Sequence, residues 1–253
     1  MRVLTWGLVL ILGSSLHLSA QAQELVVYFN ERPPLYSAGE GGVLTEIAKL
    51  VLKEASIPFR LVEVPSQRVL FHLQEGDEYA VGLGWFRTPD REVWARFSTA
   101  LYQDLPQVLI GRRDKLALLG PAPSLEKSLA KGLVLARKVG YSFGVVIDEK
   151  IRTLGARVEE TTVEVAQMMT MINGGRMDYT YLGLEEARYL LKKDSSLENL
   201  TILAMTNAPK GNYRYFMASP AVPDAVLEKI NKAIDRLRSS EAYQKLIDSI
   251  LRS

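Results

Sequence analysis

The sequence predicts an α/β protein with two lobes, each built on a mostly parallel, doubly wound sheet. Residues 24–84 alternate strand-like and helix-like segments in the order strand, helix, strand, helix, strand, which is typical of parallel sheets with crossover helices. A second alternating series begins near Gly132. The chain has 253 residues, of which 47% are hydrophobic, so it is long enough for one large domain or two small lobes.

The first series contains three short apolar runs separated by amphipathic segments. The strands are expected at Glu24–Asn30, Phe59–Val64 and Ala80–Gly84. A first helix is expected over Val43–Ser56, where apolar residues recur at helical spacing, and a second helix begins with Ser66 as a cap and ends at Gly76. Another strand, Gln107–Gly111, and a looser stretch follow.

The second series repeats this alternation and adds closing helices. Its strands are expected at Gly132–Ala136, Asp178–Leu182 and Tyr213–Ala218. Its helices are expected at Asp148–Leu154, from Thr161 to Asn173, at Leu184–Lys193, Asp224–Leu237 and Ser240–Leu251. The residues Thr161 to Glu164 have the spacing of a capping box, which predicts the start of the methionine-rich helix.

The N-terminal residues 1–22 have the pattern of a cleaved secretory signal peptide. Arg2 is followed by the apolar run Leu4–Leu12 and by Ala20-Gln21-Ala22, a small-x-small cleavage site. The apolar run is shorter than the roughly 20 residues that cross a bilayer. A soluble exported protein of a Gram-negative periplasm is therefore expected, with no membrane insertion of the mature chain.

Composition excludes several classes of function. The net charge is +2 with no basic run, which argues against nucleic acid as a partner. The chain has no cysteine and only two histidines, His17 and His72, so thiolate metal sites, disulfides and cysteine nucleophiles are absent. Cleavage would also remove His17. No cofactor, metal or catalytic residue is expected.

A run after the third strand resembles a known family. Gly84–Arg91 reads GWFRTPDR and Phe97–Tyr102 reads FSTALY. These segments, with weaker echoes at Gly42–Leu52 and Gly174–Asp178, are similar to the bacterial extracellular solute-binding proteins, family 3. Members are type II periplasmic binding proteins, known as Venus flytraps and typified by receptors for polar amino acids.

The resemblance implies a layout and a set of partners. Lobe 1 comprises residues 24–111 and 213–253, lobe 2 comprises residues 112–212, and strands near Gln107–Arg112 and Lys210–Arg214 form the hinge. The lobes would close around a small solute, and an inner-membrane ABC permease or a sensor would then recognise the closed form. A monomer is expected.

The same run contains the first candidate ligand-binding residues. Thr88, Pro89 and Asp90 are typical of a helix start, and the resemblance implies that Arg91 binds the carboxylate of the solute. An ion pair of Arg91 with a neighbouring acid is the alternative. Trp85 and Phe86 follow a buried strand and could line the cleft or pack in the core.

Further candidates lie in other loops. The resemblance places Glu31 and Arg32 in the first binding loop, where typical members have an aromatic residue near Arg32. Arg68 could turn toward the cleft or lie on a solvated helix face. In lobe 2, Tyr141 and Ser142 follow a strand and could bind the solute or pack within their loop.

One absence bears on the solute. Amino-acid receptors of this family have an aspartate that binds the ligand ammonium, and the matching position here is Gly183. Glu185 or Glu186 could substitute for it, but both are expected to face solvent on the following helix. Because an unpaired ammonium in a closed cleft is costly, an anionic or carboxylate-bearing solute is a better match than a standard amino acid.

Two alternatives come from other classes of function. The first is an enzyme on the same fold, similar to cyclohexadienyl dehydratases, with Glu31 or Glu185 as general acid. The second is an orphan interaction protein with a cleft that no longer binds tightly. A binding protein returns its ligand unchanged, an enzyme consumes it, and an orphan does neither.

Overall fold

The computed structural model describes residues 23–37, 39, 41–76, 78–130 and 132–252. The predicted signal peptide lies outside these residues. Within them, no helix has both the length and the apolar composition that a bilayer crossing requires.

Strands and helices alternate through the first part of the chain. In order, they are β1 (Leu25–Phe29), α1 (Val43–Glu54), β2 (Phe59–Glu63), α2 (Ser66–Glu75), β3 (Ala80–Trp85), α3 (Pro89–Glu92), β4 (Arg96–Phe97), β5 (Tyr102–Gln103) and β6 (Gln107–Arg112). The end of α2 at Gly76 follows the prediction, since this residue adopts the left-handed conformation that favours glycine, with φ of 82°.

The second part begins with two short helices and ends with two long ones. Its elements are α4 (Arg113–Ala117), α5 (Leu125–Ala130), β7 (Leu135–Lys138), α6 (Val145–Leu154), β8 (Val158–Thr161), α7 (Val165–Asn173), β9 (Tyr179–Gly183), α8 (Leu184–Lys193), β10 (Leu200–Leu203), β11 (Tyr213–Ala218), α9 (Asp224–Leu237) and α10 (Glu241–Arg252). A 3-10 turn at Ser195–Leu197 precedes β10.

The strands form two sheets, one in each lobe. The first has the order β2-β1-β3-β11-β4, with β5 also paired to β11, and the second has the order β10-β6-β9-β7-β8. Each sheet has apolar residues packed on both faces. Helices α1, α9 and α10 cover one face of the first sheet and α2 the other, while α5 and α6 lie opposite α7 and α8 across the second. The two-lobed α/β architecture is confirmed.

Both sheets are mixed, where the sequence predicts mostly parallel ones. Strand β1 runs parallel to β2 and β3, and β7 runs parallel to β8 and β9. Strands β11 and β6 pair antiparallel with β3 and β9. These two strands enter their sheets directly from the segments that cross between lobes, without a crossover helix, and parallel pairing needs such a crossover.

Two segments connect the lobes. The chain leaves the first sheet after Gln103 and enters the second at Gln107. Residues 107–111, which were expected in lobe 1, therefore belong to the sheet of the second lobe. It returns after β10 and rejoins the first sheet at Tyr213. The crossing segments touch so closely that a Cβ at Gly211 would lie 1.6 Å from the carbonyl oxygen of Asp104, which explains the glycine there.

Several elements differ from the predictions. Strand β8 ends at Thr161, the residue at which the predicted helix starts, and helix α7 begins only at Val165, where the preceding Glu164 makes no side-chain cap. The predicted capping box is therefore wrong, because the Glu164 carboxylate binds Lys138 instead. Helices α4 and α5 and strand β10 were not predicted, since short elements contain too few residues to display a period.

Candidate functional site

A cleft lies between the lobes, at the carboxyl ends of four strands. Asn30 and Arg32 follow β1, Trp85 ends β3, Lys138 ends β7 and Gly183 ends β9, and all five line the cavity. The cavity encloses about 710 Å³, counted out to the solvent at its mouth. Ligands of open α/β sheets bind at this edge because the loops after the strands converge there.

The described residues that line the cavity carry positive charge and no negative charge. Four of them are basic and none is acidic. The basic residues are Arg32, Arg91, Lys138 and Arg214. A cleft with this lining favours an anion.

Two of the four cations are paired with carboxylates of the second lobe that lie just outside the cavity. The Arg32 guanidinium donates two parallel hydrogen bonds to Glu186, with Nη2 at 2.6 Å from Oε2. The Lys138 ammonium, with a side chain only 2% exposed, forms an ion pair with Glu164. Arg32 belongs to the first lobe, so its pair with Glu186 connects the lobes across the cleft.

A third cation is paired at the point where the chain crosses between lobes. The Arg214 Nε donates to Asp104, and both side chains are buried. The Arg214 Nη1 also donates to the hydroxyl of Tyr36, at 2.8 Å, and Tyr36 donates to the carbonyl of Gly84 at 3.0 Å. This network fixes the floor of the cleft. Gly84 has a φ of 74°, and a Cβ there would lie 2.0 Å from the Tyr36 hydroxyl oxygen.

Arg91 is the fourth cation, and no carboxylate among the described residues forms an ion pair with it. Its Nη1 donates to the carbonyl of Phe86 at 2.8 Å, its Nη2 donates to the carbonyl of Gly140 at 3.0 Å, and its guanidinium lies 4.7 Å from the ring centre of Trp85. Burial lowers the pKa of Arg91 to about 10, only partly offset by Asp148. The lowered pKa indicates a buried cation that lacks a full counter-charge.

Aromatic side chains surround these cations. Trp85 stacks on Arg91, Phe86 lies 4.8 Å from the Arg214 guanidinium, and Tyr141 lies 5.2 Å from that of Arg32. Phe143 and Tyr181 meet edge to face at 5.5 Å and also line the cavity. The cleft therefore combines a cationic floor with apolar walls.

Glu185 is a buried acid outside the cavity lining. Its Oε1 accepts from the Tyr102 hydroxyl and from the backbone N–H of Leu105, each at 3.3 Å, and its Oε2 has no hydrogen-bond partner among the residues that the structure describes. Burial, with a further contribution from Asp104, raises the pKa of Glu185 to about 7. The side chain packs against the first crossing segment and is not part of the cavity lining, although its Oε2 would lie 3.0 Å from a Cβ at the lining residue Gly183.

The structure brings most of the predicted site residues together. The cavity is lined by Arg91, Trp85, Phe86, Arg32, Tyr141 and Ser142. The other three predicted residues do not line it: they are Glu31, Thr88 and Arg68. Thr88 precedes the predicted helix α3 but makes no side-chain cap, and Arg68 is exposed on α2. The Ser142 hydroxyl donates to Asp148.

The expectation that Glu185 and Glu186 face solvent is wrong, since both are 1% exposed. They form the first turn of α8, which begins directly at the end of β9, so this turn lies against the crossing segment and the Arg32 loop. Sequence reasoning also missed Lys138 and Arg214. Lys138 could have been found as the residue that ends a strand just before a glycine-containing loop, whereas no local pattern marks Arg214.

Comparisons with known proteins agree with this architecture. A model of the family "Bacterial extracellular solute-binding proteins, family 3" matches residues 26–252. No curated protein matches the sequence.

Solved structures with the same fold include binding proteins and a sensor domain. An ancestral arginine-binding protein bound to arginine has a TM-score of 0.70 at 19% identity, covering 90% of this chain and 98% of that chain. The substrate binding protein of an amino acid ABC transporter has a TM-score of 0.69 at 19% identity, covering 91% and 99%. A histidine kinase sensor domain with similarity to periplasmic binding proteins has a TM-score of 0.70 at 18% identity, covering 90% and 95%.

At such low identities these structures establish the fold, while the family model accounts for nearly all of the described chain. The chain therefore belongs to the bacterial extracellular solute-binding proteins, family 3, and has their two-lobed type II periplasmic binding protein fold.

Proposed function

We propose that this protein is a periplasmic binding protein whose lobes close on a small carboxylate solute without an α-ammonium, for an ABC transporter or a sensor. The observation that carries the proposal is Arg91, a buried cation on the cavity wall whose described hydrogen-bond partners are two backbone carbonyls. A carboxylate can accept two parallel hydrogen bonds from a guanidinium, so it matches the unmet charge of this residue.

The charges around the cavity argue against an ammonium on the solute. Three nearby acids, Glu186, Glu164 and Asp104, are each already paired with a cation of the protein. The fourth, Glu185, lies outside the cavity lining, and burial raises its pKa to about 7. An α-ammonium would therefore enter a closed cleft whose described lining offers no carboxylate, at a cost of several kcal/mol. A carboxylate bound to Arg91 meets no such penalty.

The apolar walls indicate the rest of the solute. Trp85, Phe86 and Phe143 offer ring faces and edges, and Met168 and Leu182 add aliphatic surface. A monocarboxylic acid with an apolar or aromatic body would bury its body here and present its charge to Arg91. Contacts that already cross the cleft, such as Arg91 to the carbonyl of Gly140, support a closing motion of the lobes.

The test is a thermal-shift screen of the mature chain with matched pairs of amino acids and their des-amino acids, together with dicarboxylates, polyamines and sugars. A ligand at about 100 times its dissociation constant adds roughly 2.7 kcal/mol of folding stability. Des-amino carboxylates should stabilise the protein, and polyamines should not.

A second step separates binding from catalysis. The compound that stabilises the protein should be recovered chemically unchanged after prolonged incubation, as detected by mass spectrometry. Conversion of the compound would favour the dehydratase-like alternative. Stabilisation by cationic or neutral solutes alone would contradict the proposed solute class.

A further inference from the structure

Arg32 has two sets of contacts, since it lines the cavity and its side chain also covers Glu186, an acid behind the cavity wall. Its backbone N–H donates to the carbonyl of Tyr36 at 2.9 Å, which holds the loop after β1 in place. Its guanidinium reaches across the cleft to Glu186, with the two side chains 14% and 1% exposed. Arg32 therefore stands between Glu186 and the cavity.

Glu186 depends on Arg32 for its counter-charge. Within the described part of the chain, both side-chain hydrogen bonds to this carboxylate come from the Arg32 guanidinium. The carboxylate sits in the first turn of α8, where the helix dipole favours a negative charge. A buried carboxylate in this setting can accept charge-assisted hydrogen bonds from a cation.

Arg32 and Arg91 flank the same short loop of the second lobe. Arg91 donates to the carbonyl of Gly140, and the Arg32 guanidinium lies 5.2 Å from the ring centre of Tyr141, the next residue. The carboxylate-binding cation and the Glu186 pair are thus neighbours across one loop. A solute bound to Arg91 would therefore lie beside the ion pair of Arg32 and Glu186.

We propose that Arg32 acts as a built-in substitute for a ligand ammonium: it saturates Glu186 and so makes the cleft reject α-amino acids in favour of carboxylates that lack the amino group. This inference rests on the proposed function and deepens it, because it names the residues that set the solute class. Removal of Arg32 would convert Glu186 into an ammonium acceptor.

The test measures dissociation constants by calorimetry for the twenty L-amino acids and their des-amino acids, for example L-phenylalanine with 3-phenylpropionate. In Arg32→Gln, binding of an amino acid should improve relative to its des-amino acid by roughly tenfold to a hundredfold, the range expected for one charge-assisted hydrogen bond. In the double variant Arg32→Gln/Glu186→Gln this gain should disappear, because the Glu186 carboxylate has been removed.

A second variant tests the same pair from the other side. Glu186→Gln leaves Arg32 without its carboxylate, so the cleft then has two uncompensated guanidinium groups. Binding of phenylsuccinate relative to 3-phenylpropionate should improve by roughly tenfold or more. If thermal unfolding shows that Arg32→Gln does not fold, the Glu186→Gln variant alone tests the role of Arg32.

The outcomes separate this inference from the proposed function. A wild-type protein that binds no monocarboxylate contradicts the proposed function, yet an amino-acid gain in Arg32→Gln that requires Glu186 still supports the role of Arg32. The inference is overturned if a folded Arg32→Gln variant binds no amino acid better than the wild type, or if neither variant changes its preference.

Discussion

Replacement of Arg91 by glutamine tests the proposed site most directly. The side chain is 9% exposed and lies between Phe86 and Gly140 on opposite lobes. Glutamine keeps a polar amide that can reach one of these carbonyls but removes the positive charge. The variant should therefore fold while it loses the contact with a solute carboxylate.

The size of the expected loss of affinity follows from the environment of the Arg91 guanidinium. Desolvation lowers the pKa of Arg91 from 12.5 to about 10, so the charged form is about 3 kcal/mol less favourable in the cleft than in water, at 1.36 kcal/mol per pKa unit. In the proposed complex, a solute carboxylate offsets this cost. Truncation of one partner in such a desolvated pair costs roughly 2–5 kcal/mol, which corresponds to a roughly 30-fold to 5,000-fold weaker Kd.

The assay is isothermal titration calorimetry with the strongest carboxylate hit of the screen. Arg68→Gln is the matched control, because it removes the same charge from an exposed position on α2 and should change the Kd less than about twofold, as expected for a screened surface charge. The ligand-free unfolding free energy of Arg91→Gln should stay near the wild-type value, since the lost hydrogen bonds are offset by relief of the buried charge. A Kd within fivefold of the wild type in a folded Arg91→Gln variant would refute the assignment.

Three further predictions concern the stability of the lobes and their crossing. Burial raises the pKa of Glu185 to about 7, so the folded protein favours the protonated side chain. As the pH rises from about 4 to about 8 this proton is lost, and the unfolding free energy of the wild type should fall by about 3 kcal/mol relative to that of Glu185→Gln. Urea denaturation checks this, and a difference that is independent of pH would contradict it. Asp104→Asn leaves its buried arginine partner without a carboxylate and should cost roughly 3–5 kcal/mol, seen as a lower thermal midpoint; an unchanged midpoint would count against a buried ion pair. Gly84→Ala combines a φ of 74° with a Cβ 2.0 Å from the Tyr36 hydroxyl oxygen, so it should destabilise by more than the 1–2 kcal/mol expected for left-handed backbone alone. Gly155→Ala is its control, because Gly155 also has a positive φ but no atom of the described residues lies within 4 Å of the added Cβ. Equal losses in both variants would exclude a role for the Tyr36 contact.

Strong local patterns in the sequence were sufficient to predict much of the fold. Helix Leu184–Lys193, helix Asp224–Leu237 and strand Tyr213–Ala218 have the bounds that were predicted. Each combines a clear hydrophobic period with a recognisable start or end. The run GWFRTPDR also identified the family, and with it the position of Arg91 on the cleft.

Pairing between distant residues could not be predicted in the same way. The sequence shows Arg32 and Gly183 as two separate departures from a family pattern, and Glu186 looks like a solvated residue of an amphipathic helix. In the structure the arginine and the glutamate lie 154 positions apart in the chain and form one ion pair. No local period contains that information.

The sequence by itself therefore determined the class of protein, the two-lobed α/β fold and the loops that meet at the cleft. Those features depend on hydrophobic periodicity, turn residues and one short motif, all of which are local. Only the tertiary structure decided which charges are compensated: it pairs Arg32, Lys138 and Arg214 with acids of other elements and leaves Arg91 with backbone carbonyls. The physical reason is that the energy of a buried charge depends on its distance to every other charge, and these distances exist only once the lobes have come together.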